Sequence, residues 1–294
     1  MRKIKLFSLL VGLGMLLFCL TQMTPLLSTS KDLHTSEKVI QDKSYIQKSS
    51  IVHTLLIPVQ SRLRMTVVSS KVDFLENFAQ KYQAIAVLNG GFFDPVNHKS
   101  TSYVVRQGKI VADPRLNERL ISNPKLTPYI DKILNRTELR QYQCRQTVRY
   151  DIALHNQPIP EDCQLVNSLG GGPRLLPEIT LQQEGFVEAS NGRIVRDALG
   201  SQQPNARTAV GITPDGSIVW VMVAQKPDAP ANGMTLPELA KFMKTIGVES
   251  AMNLDGGSSS ALYYQGKTFY GKFNAKGKQV KRPVKSVLLV QQNN

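Results

Sequence analysis

In SAMNLDGGSSS, residues 250–260, a short apolar run meets a polar residue, Asp255, and then two glycines. The same construction occurs twice earlier, in AIAVLNGGFFD (residues 84–94) and QLVNSLGGGPRLL (residues 164–176). Each run has the length and composition of a strand. Glycines directly behind a strand let the backbone turn sharply and approach a ligand closely, with free amides facing outward. Three such corners imply one shared pocket. The polar residues at the junctions, Asn89, Asp94, Arg174 and Asp255, would set carboxylate beside cation, a combination suited to an anionic sugar derivative.

Between these corners the chain reads mainly as strands. Residues 51–59 and 63–69 form strands joined by a short turn, and Ser70 to Asp73 opens an amphipathic helix that runs to about Tyr82. Residues 103–112 have hairpin character around Gln107 and Gly108, and residues 207–224 make the clearest hairpin, around Pro214, Asp215 and Gly216. Residues 127–142 are expected to be helical. Thr235 and Glu238 form a capping box with Pro237 in the first turn, starting a helix that ends near Gly247. Residues 261–270 fold around Gln265 and Gly266, and residues 284–291 make a last apolar strand. The fold class is therefore α+β, with largely antiparallel or mixed sheets packed together and a few flanking helices.

Residues 1–30 stand apart from this pattern. Arg2, Lys3 and Lys5 precede an apolar stretch, residues 6–20, that is shorter than the roughly 20 residues a spanning helix needs. This reads as an export signal, with a retained membrane tether through residues 6–20 as the alternative. The location is then extracytoplasmic: periplasmic, secreted or membrane-anchored. Residues 31–48 are polar and without periodicity, as in a linker. Residues 49–294 form the domain, and residues 113–163 read as an insertion within it.

Past the leader the cysteines are Cys144 and Cys163, and in an oxidising compartment they make a disulfide that clips the insertion. A catalytic cysteine is the weaker alternative, because neither thiol has a histidine in its neighbourhood. The chain carries 36 basic against 22 acidic residues, a formal charge of +14. Such a surplus favours anionic partners. Nucleic acid is set aside, since the charges are dispersed and no basic-plus-aromatic recognition motif is present.

NGGFFD, GGGPRLL, the strand start RTAVG and NLDGGSSS, in that order, resemble the phosphodiester glycosidase family over about residues 51–291, with an interruption at the insertion. The resemblance implies hydrolysis of a sugar from its anomeric phosphodiester by an exported protein, in bacterial members one associated with exopolysaccharide. One departure stands out. The family commonly has three glycines after the aspartate of its last motif, whereas here Gly256 and Gly257 are followed by Ser258, which narrows the turn and bears on substrate choice.

Breaking a sugar–phosphate bond at the anomeric carbon needs a carboxylate to direct water or act as nucleophile, and cations on the departing phosphate. Asp255 is the first choice for the carboxylate. Asp94 is the second, as acid/base partner or metal ligand, with an ordinary turn aspartate as its alternative. Asn89 would either bind a sugar hydroxyl or hold Asp255. Arg174 and Arg207 are expected to clamp the phosphate, aided by the turn residues Gly90, Gly91, Gly170, Gly171, Gly172, Gly256, Gly257 and Ser258, unless either arginine is a structural ion-pair residue. Phe92 and Phe93 could stack on a sugar face. No cofactor is certain. A hard cation, Ca2+ or Mg2+, held by Asp255, Asp94 and Asn89 is conceivable, and the metal question stays open.

The reading is thus an exported glycosidase acting on a sugar-1-phosphodiester of envelope or extracellular glycan, with an anionic or phosphorylated glycan as substrate. The alternative is a non-catalytic protein that binds or assembles anionic polysaccharide.

Overall fold

The eight residues IVWVMVAQ, Ile218–Gln225, are buried from end to end. An unbroken apolar strand needs cover on both faces, and its alternation supplies two sets of contacts. Ile218, Trp220, Met222 and Ala224 enter one apolar cluster, while Val219, Val221 and Val223 enter a second. The rest of the molecule is arranged around this strand. The computed structural model describes residues 39–59, 61–227 and 232–292. The proposed leader and residues 31–38 of the proposed linker lie outside the described residues.

The early strands are β1 (Gln41–Ile46), β2 (Ser50–Ile57), β3 (Leu63–Asp73), β4 (Ala86–Asn89), β5 (Val104–Arg106) and β6 (Lys109–Ala112). The middle of the chain supplies β7 (Thr137–Cys144), β8 (Thr147–Leu154), β9 (Cys163–Gly170), β10 (Arg174–Leu176), β11 (Val187–Ser190) and β12 (Arg193–Asp197). Then follow β13 (Arg207–Ile212), β14 (Ile218–Gln225), β15 (Ser250–Asn253), β16 (Ala261–Tyr264), β17 (Lys267–Tyr270) and β18 (Val284–Gln292). Helices are few: α1 (Leu75–Tyr82), α2 (Glu118–Ile121), α3 (Ile130–Leu134) and α4 (Leu236–Thr245).

Three larger sheets form, in the orders β1-β2-β14-β13-β15-β10, β17-β16-β4-β18-β3 and β6-β5-β9-β7-β8, with β11-β12 as a separate ribbon. The strand pairs within them are antiparallel, as in β14 with β2, β18 with β4 and β7 with β9. The α+β expectation holds. One apolar core draws on all three sheets, through Leu55, Met65, Leu88, Leu139, Leu169, Trp220, Met252 and Leu288. Helix α4 covers the other face of the first sheet with Leu236, Leu239 and Met243. Helix α1 covers the second sheet with Leu75, Phe78 and Ala79. The capping box that starts α4 is formed, with Thr235 and Glu238 bonded reciprocally.

Three local expectations are corrected. Residues 41–46, read as linker, form β1, which pairs with β2 from Gln41↔Leu56 to Ile46↔Ile51. The expected helix over residues 127–142 is only a short helical turn, α3, and the remainder is β7, whose pairing with β8 and β9 overrides the helical tendency of its polar residues. Helix α1 begins at Leu75 because β3 runs on to Asp73, whose side chain accepts from the Phe74 amide and the Asn77 side chain. Cys144 and Cys163 are directly opposite one another on β7 and β9 and form a disulfide.

The three glycine corners meet. A Cβ on Gly91 would fall 2.1 Å from the Gly170 carbonyl oxygen, so the first and second corners touch backbone to backbone. Gly172 donates to the Asn253 carbonyl at 2.9 Å, and Asp255 donates to the Gly90 carbonyl at 3.0 Å, which closes the triangle. Because the obstacle at Gly91 is main chain, no rotamer change relieves it. Gly91→Ala is expected to destabilise the protein by about 3 kcal/mol in urea unfolding. A cost within about 0.5 kcal/mol of zero would mean that the corners are not in contact.

Candidate active site

Strand β15 ends at Asn253, and Asp255 follows in the turn where β4, β13 and β16 converge. Asn89, the last residue of β4, is fully buried. Its Nδ2 donates to the Asp255 carbonyl at 2.7 Å, and its Oδ1 accepts from Thr208 Oγ1 at 2.8 Å and from the Ala261 amide at 3.0 Å. A buried side-chain amide must find such partners, and losing one would leave an unpaired group costing roughly 1–3 kcal/mol. Asn89 therefore fixes the backbone of Asp255, one of its two expected roles. The sugar-binding role is not supported, since both sides of its amide are engaged within the protein.

Asp255 keeps a minor share of its surface open to solvent. Its neighbours nevertheless crowd it enough that burial pushes the carboxyl up to about 6, against the opposing pull of the Ser259 hydroxyl, the Arg282 charge and the Gly256 amide. A carboxyl poised there exchanges its proton close to neutral pH, as a catalytic acid or base must.

Arg282, in the segment before β18, is the residue that sequence reasoning missed. Its guanidinium lies 5.2 Å above the Phe93 ring, and its Nη1 donates to Ser258 Oγ at 2.9 Å. It thus joins the first corner to the third. Its only sequence signal is the basic pair Lys281 and Arg282 before Pro283, which belongs to no motif. Phe93 also packs against the cluster that includes α1, while Phe92 lies 5.7 Å from Phe186, a residue that borders Gly172. Both phenylalanines remain half-buried.

Arg207 is corrected from phosphate ligand to structural brace. It is 3% exposed, and its Nε, Nη1 and Nη2 donate to the carbonyls of Met234, Leu199, Gly200 and Gln203. Burial lowers its pKa to about 10, with Asp197 opposing the shift. Arg174 is half-buried at the start of β10, paired with Met252 of β15. Its Nε is buried without a hydrogen-bond partner among the described residues. Beneath it sits a second missed residue, Glu184, 1% exposed. The Glu184 carboxylate accepts from the Arg174 amide, the Thr137 amide and hydroxyl, and the Thr180 hydroxyl, and so anchors the second corner.

The expected amide cradle is also corrected. The amides of Gly90, Gly170, Gly171, Gly172 and Gly257 donate to the carbonyls of Ser286, Tyr103, Thr137, Asn253 and Ala206, and that of Gly91 to Ser286 Oγ. These glycines serve close packing. Only the Gly256 amide turns to a functional group, the Asp255 carboxyl.

Asp94 organises its own turn. Its Oδ1 accepts from the Val96 amide at 2.7 Å, and its Oδ2 from Arg119 Nε at 2.8 Å. Burial works to raise its carboxyl, but the Val96 amide, the Arg119 guanidinium and the Asn97 amide outweigh it and hold the pKa below the usual carboxylate range. A depressed carboxyl is a poor proton donor near neutrality, so the general-acid role is withdrawn. The conceived cation site fares no better. Asn89 Oδ1 already accepts twice and Asp94 is committed to its turn, and among the described residues no group of three His, Cys, Asp or Glu side chains could hold a metal ion.

The phosphodiester glycosidase family profile matches residues 82–291. No curated protein sequence matches significantly. Among solved structures, the catalytic domain of zebrafish N-acetylglucosamine-1-phosphodiester alpha-N-acetylglucosaminidase, auto-inhibited by its pro-peptide, is similar with a TM-score of 0.63 at 18% identity, over 88% of this chain and 85% of that one. A protein from Burkholderia pseudomallei has a TM-score of 0.61 at 16% identity, over 82% of this chain and 74% of its own. A hypothetical protein from Synechocystis has a TM-score of 0.55 at 17% identity, over 85% and 61%. At these identities the likeness is one of fold.

The raised Asp255 carboxyl has a cost with a definite sign. Its folded pKa of about 6 lies above the ordinary value of 3.8, so the charged form is disfavoured in the folded chain and stability falls as pH rises between these values. Asp255→Asn is expected to unfold at higher urea than wild type at pH 7, by on the order of 2 kcal/mol. The gain should vanish below pH 4. An Asn variant less stable at pH 7 would contradict the desolvated carboxyl.

Proposed function

Since the chain belongs to the phosphodiester glycosidase family, we propose that it hydrolyses a sugar-1-phosphodiester, with Asp255 as the carboxylate that directs water. The observation that carries this reading is the carboxyl at the meeting point of the three corners, pushed up to about 6 by burial and within the field of a cation, Arg282. The water oxygen bonds to the anomeric carbon while its proton passes to Asp255. The bond from that carbon to the phosphate oxygen breaks, and its electron pair leaves on the phosphomonoester. A phosphomonoester has a second pKa near 6. It departs without a strong acid behind it, which fits a chain whose Asp94 is kept ionised in its own turn by the Val96 amide and Arg119. The half-buried Arg174, whose Nε has no hydrogen-bond partner among the described residues, contributes positive charge to the same end of β10 and β15.

The wider setting follows from the chain's chemistry. The disulfide suits an oxidising compartment, and the surplus of basic residues suits an anionic glycan of the envelope or the extracellular matrix. Among the described residues no helix is long and apolar enough to cross a membrane.

Purified protein is expected to release free sugar and phosphomonoester from at least one of a panel of alkyl phosphodiesters of hexoses and N-acetylhexosamines. Asp255→Asn should lower kcat by about a thousandfold. The wild-type rate should rise with pH through about 6, as the active carboxylate forms. Saturable glycan binding with no product over long incubation would favour the binding-protein alternative.

A further inference from the structure

Arg207 and Arg282 both approach the Asp255 turn, but they are committed differently. Gly256 borders Arg207 at its Cα and Cδ, and the guanidinium beyond is spent on carbonyls. Arg282 makes one side-chain hydrogen bond among the described residues, to the neutral hydroxyl of Ser258, and its guanidinium carbon lies 5.2 Å over the Phe93 ring. A neutral acceptor fixes the group without cancelling its charge. The aromatic ring takes up no hydrogen-bond donor, so the donors not given to Ser258 stay available to phosphate oxygens.

We propose that Arg282, positioned by Ser258 and Phe93, is the seat of the substrate's phosphate group. The inference rests on the hydrolase reading above and deepens it. A sugar with its anomeric carbon at Asp255 has the scissile oxygen one bond away, and the charge that develops on the leaving phosphate then forms beside the guanidinium. The assignment also gives the departure at Ser258 a purpose. A third glycine there would have no hydroxyl to hold Arg282, so the serine is a positioning residue that sets phosphate orientation in this chain.

The test uses the full chain and two readouts. The first is binding of inorganic phosphate at low ionic strength, followed by calorimetry, for wild type, Arg282→Gln, Arg282→Lys and Ser258→Gly. The second is kcat/KM on the phosphodiester that wild type cleaves best, compared with the uncharged nitrophenyl glycoside of the same sugar. Phosphate affinity should fall at least tenfold in Arg282→Gln, about threefold in Arg282→Lys, which keeps the charge but loses the fork, and several-fold in Ser258→Gly. The preference for phosphodiester over nitrophenyl glycoside should fall at least tenfold in Arg282→Gln, with most of the Ser258→Gly effect in KM.

Phosphate binding by Arg282→Lys and Ser258→Gly at wild-type strength would overturn the proposal, as would an equal loss on both substrates. If phosphate binds through Arg282 while no phosphodiester is cleaved, the phosphate seat stands and the hydrolase reading falls. If hydrolysis proceeds with unchanged preference in the Arg282 variants, the hydrolase reading stands and the seat falls.

Discussion

The buried amide of Asn89 is the joint on which the site depends. It ends β4 in the second sheet, accepts from Thr208 of β13 in the first sheet and from Ala261 at the start of β16, and donates to the Asp255 carbonyl. Two sheets and the Asp255 turn are thereby held at one point, where water cannot substitute for a lost partner. Around the joint the glycines remove the bulk that would keep the backbones apart, as Gly91 does against Gly170. The protein thus holds a carboxylate where solvation is poor, and accepts a loss of stability for a proton that can move near neutral pH.

This economy explains why the site looks sparse. One raised carboxyl and one arginine set over an aromatic ring, Arg282, meet at this turn, while the other strong cation, Arg207, is absorbed in bracing the loop of residues 199–203 and Met234. Where the leaving group is a phosphate, positive charge can take the place of a general acid. Two surface cavities lie elsewhere. The one of 420 Å³ is lined by Ile179, Leu181, Val187 and Ile194 among others, and the one of 290 Å³ by Arg64, Gln141 and Tyr150 among others.

Much of the architecture was legible in the sequence because it rests on local patterns. The hairpin of residues 207–224, the Thr235–Glu238 box and the glycines behind three strands each name their structure directly. What escaped depended on partners far along the chain. β1 has the composition of a linker and becomes a strand only because β2 offers an edge, and β7 is polar enough to read as helix until β8 and β9 flank it. The placement of Asp255 and Asn89 at meeting corners was legible from their position before glycines. Arg207 and the glycine amides were misassigned because a donor's spare capacity cannot be read from spacing. Arg282 was missed because it comes from a loop without a motif and is placed by Phe93 and Ser258.

The central claim is that convergence of the three corners desolvates Asp255. Its most direct test is a carboxyl-carbon NMR titration of the full chain, with the Asp255 signal assigned by difference from Asp255→Asn. The account predicts a midpoint near 6. A midpoint at or below the ordinary aspartate value of about 4 would contradict it.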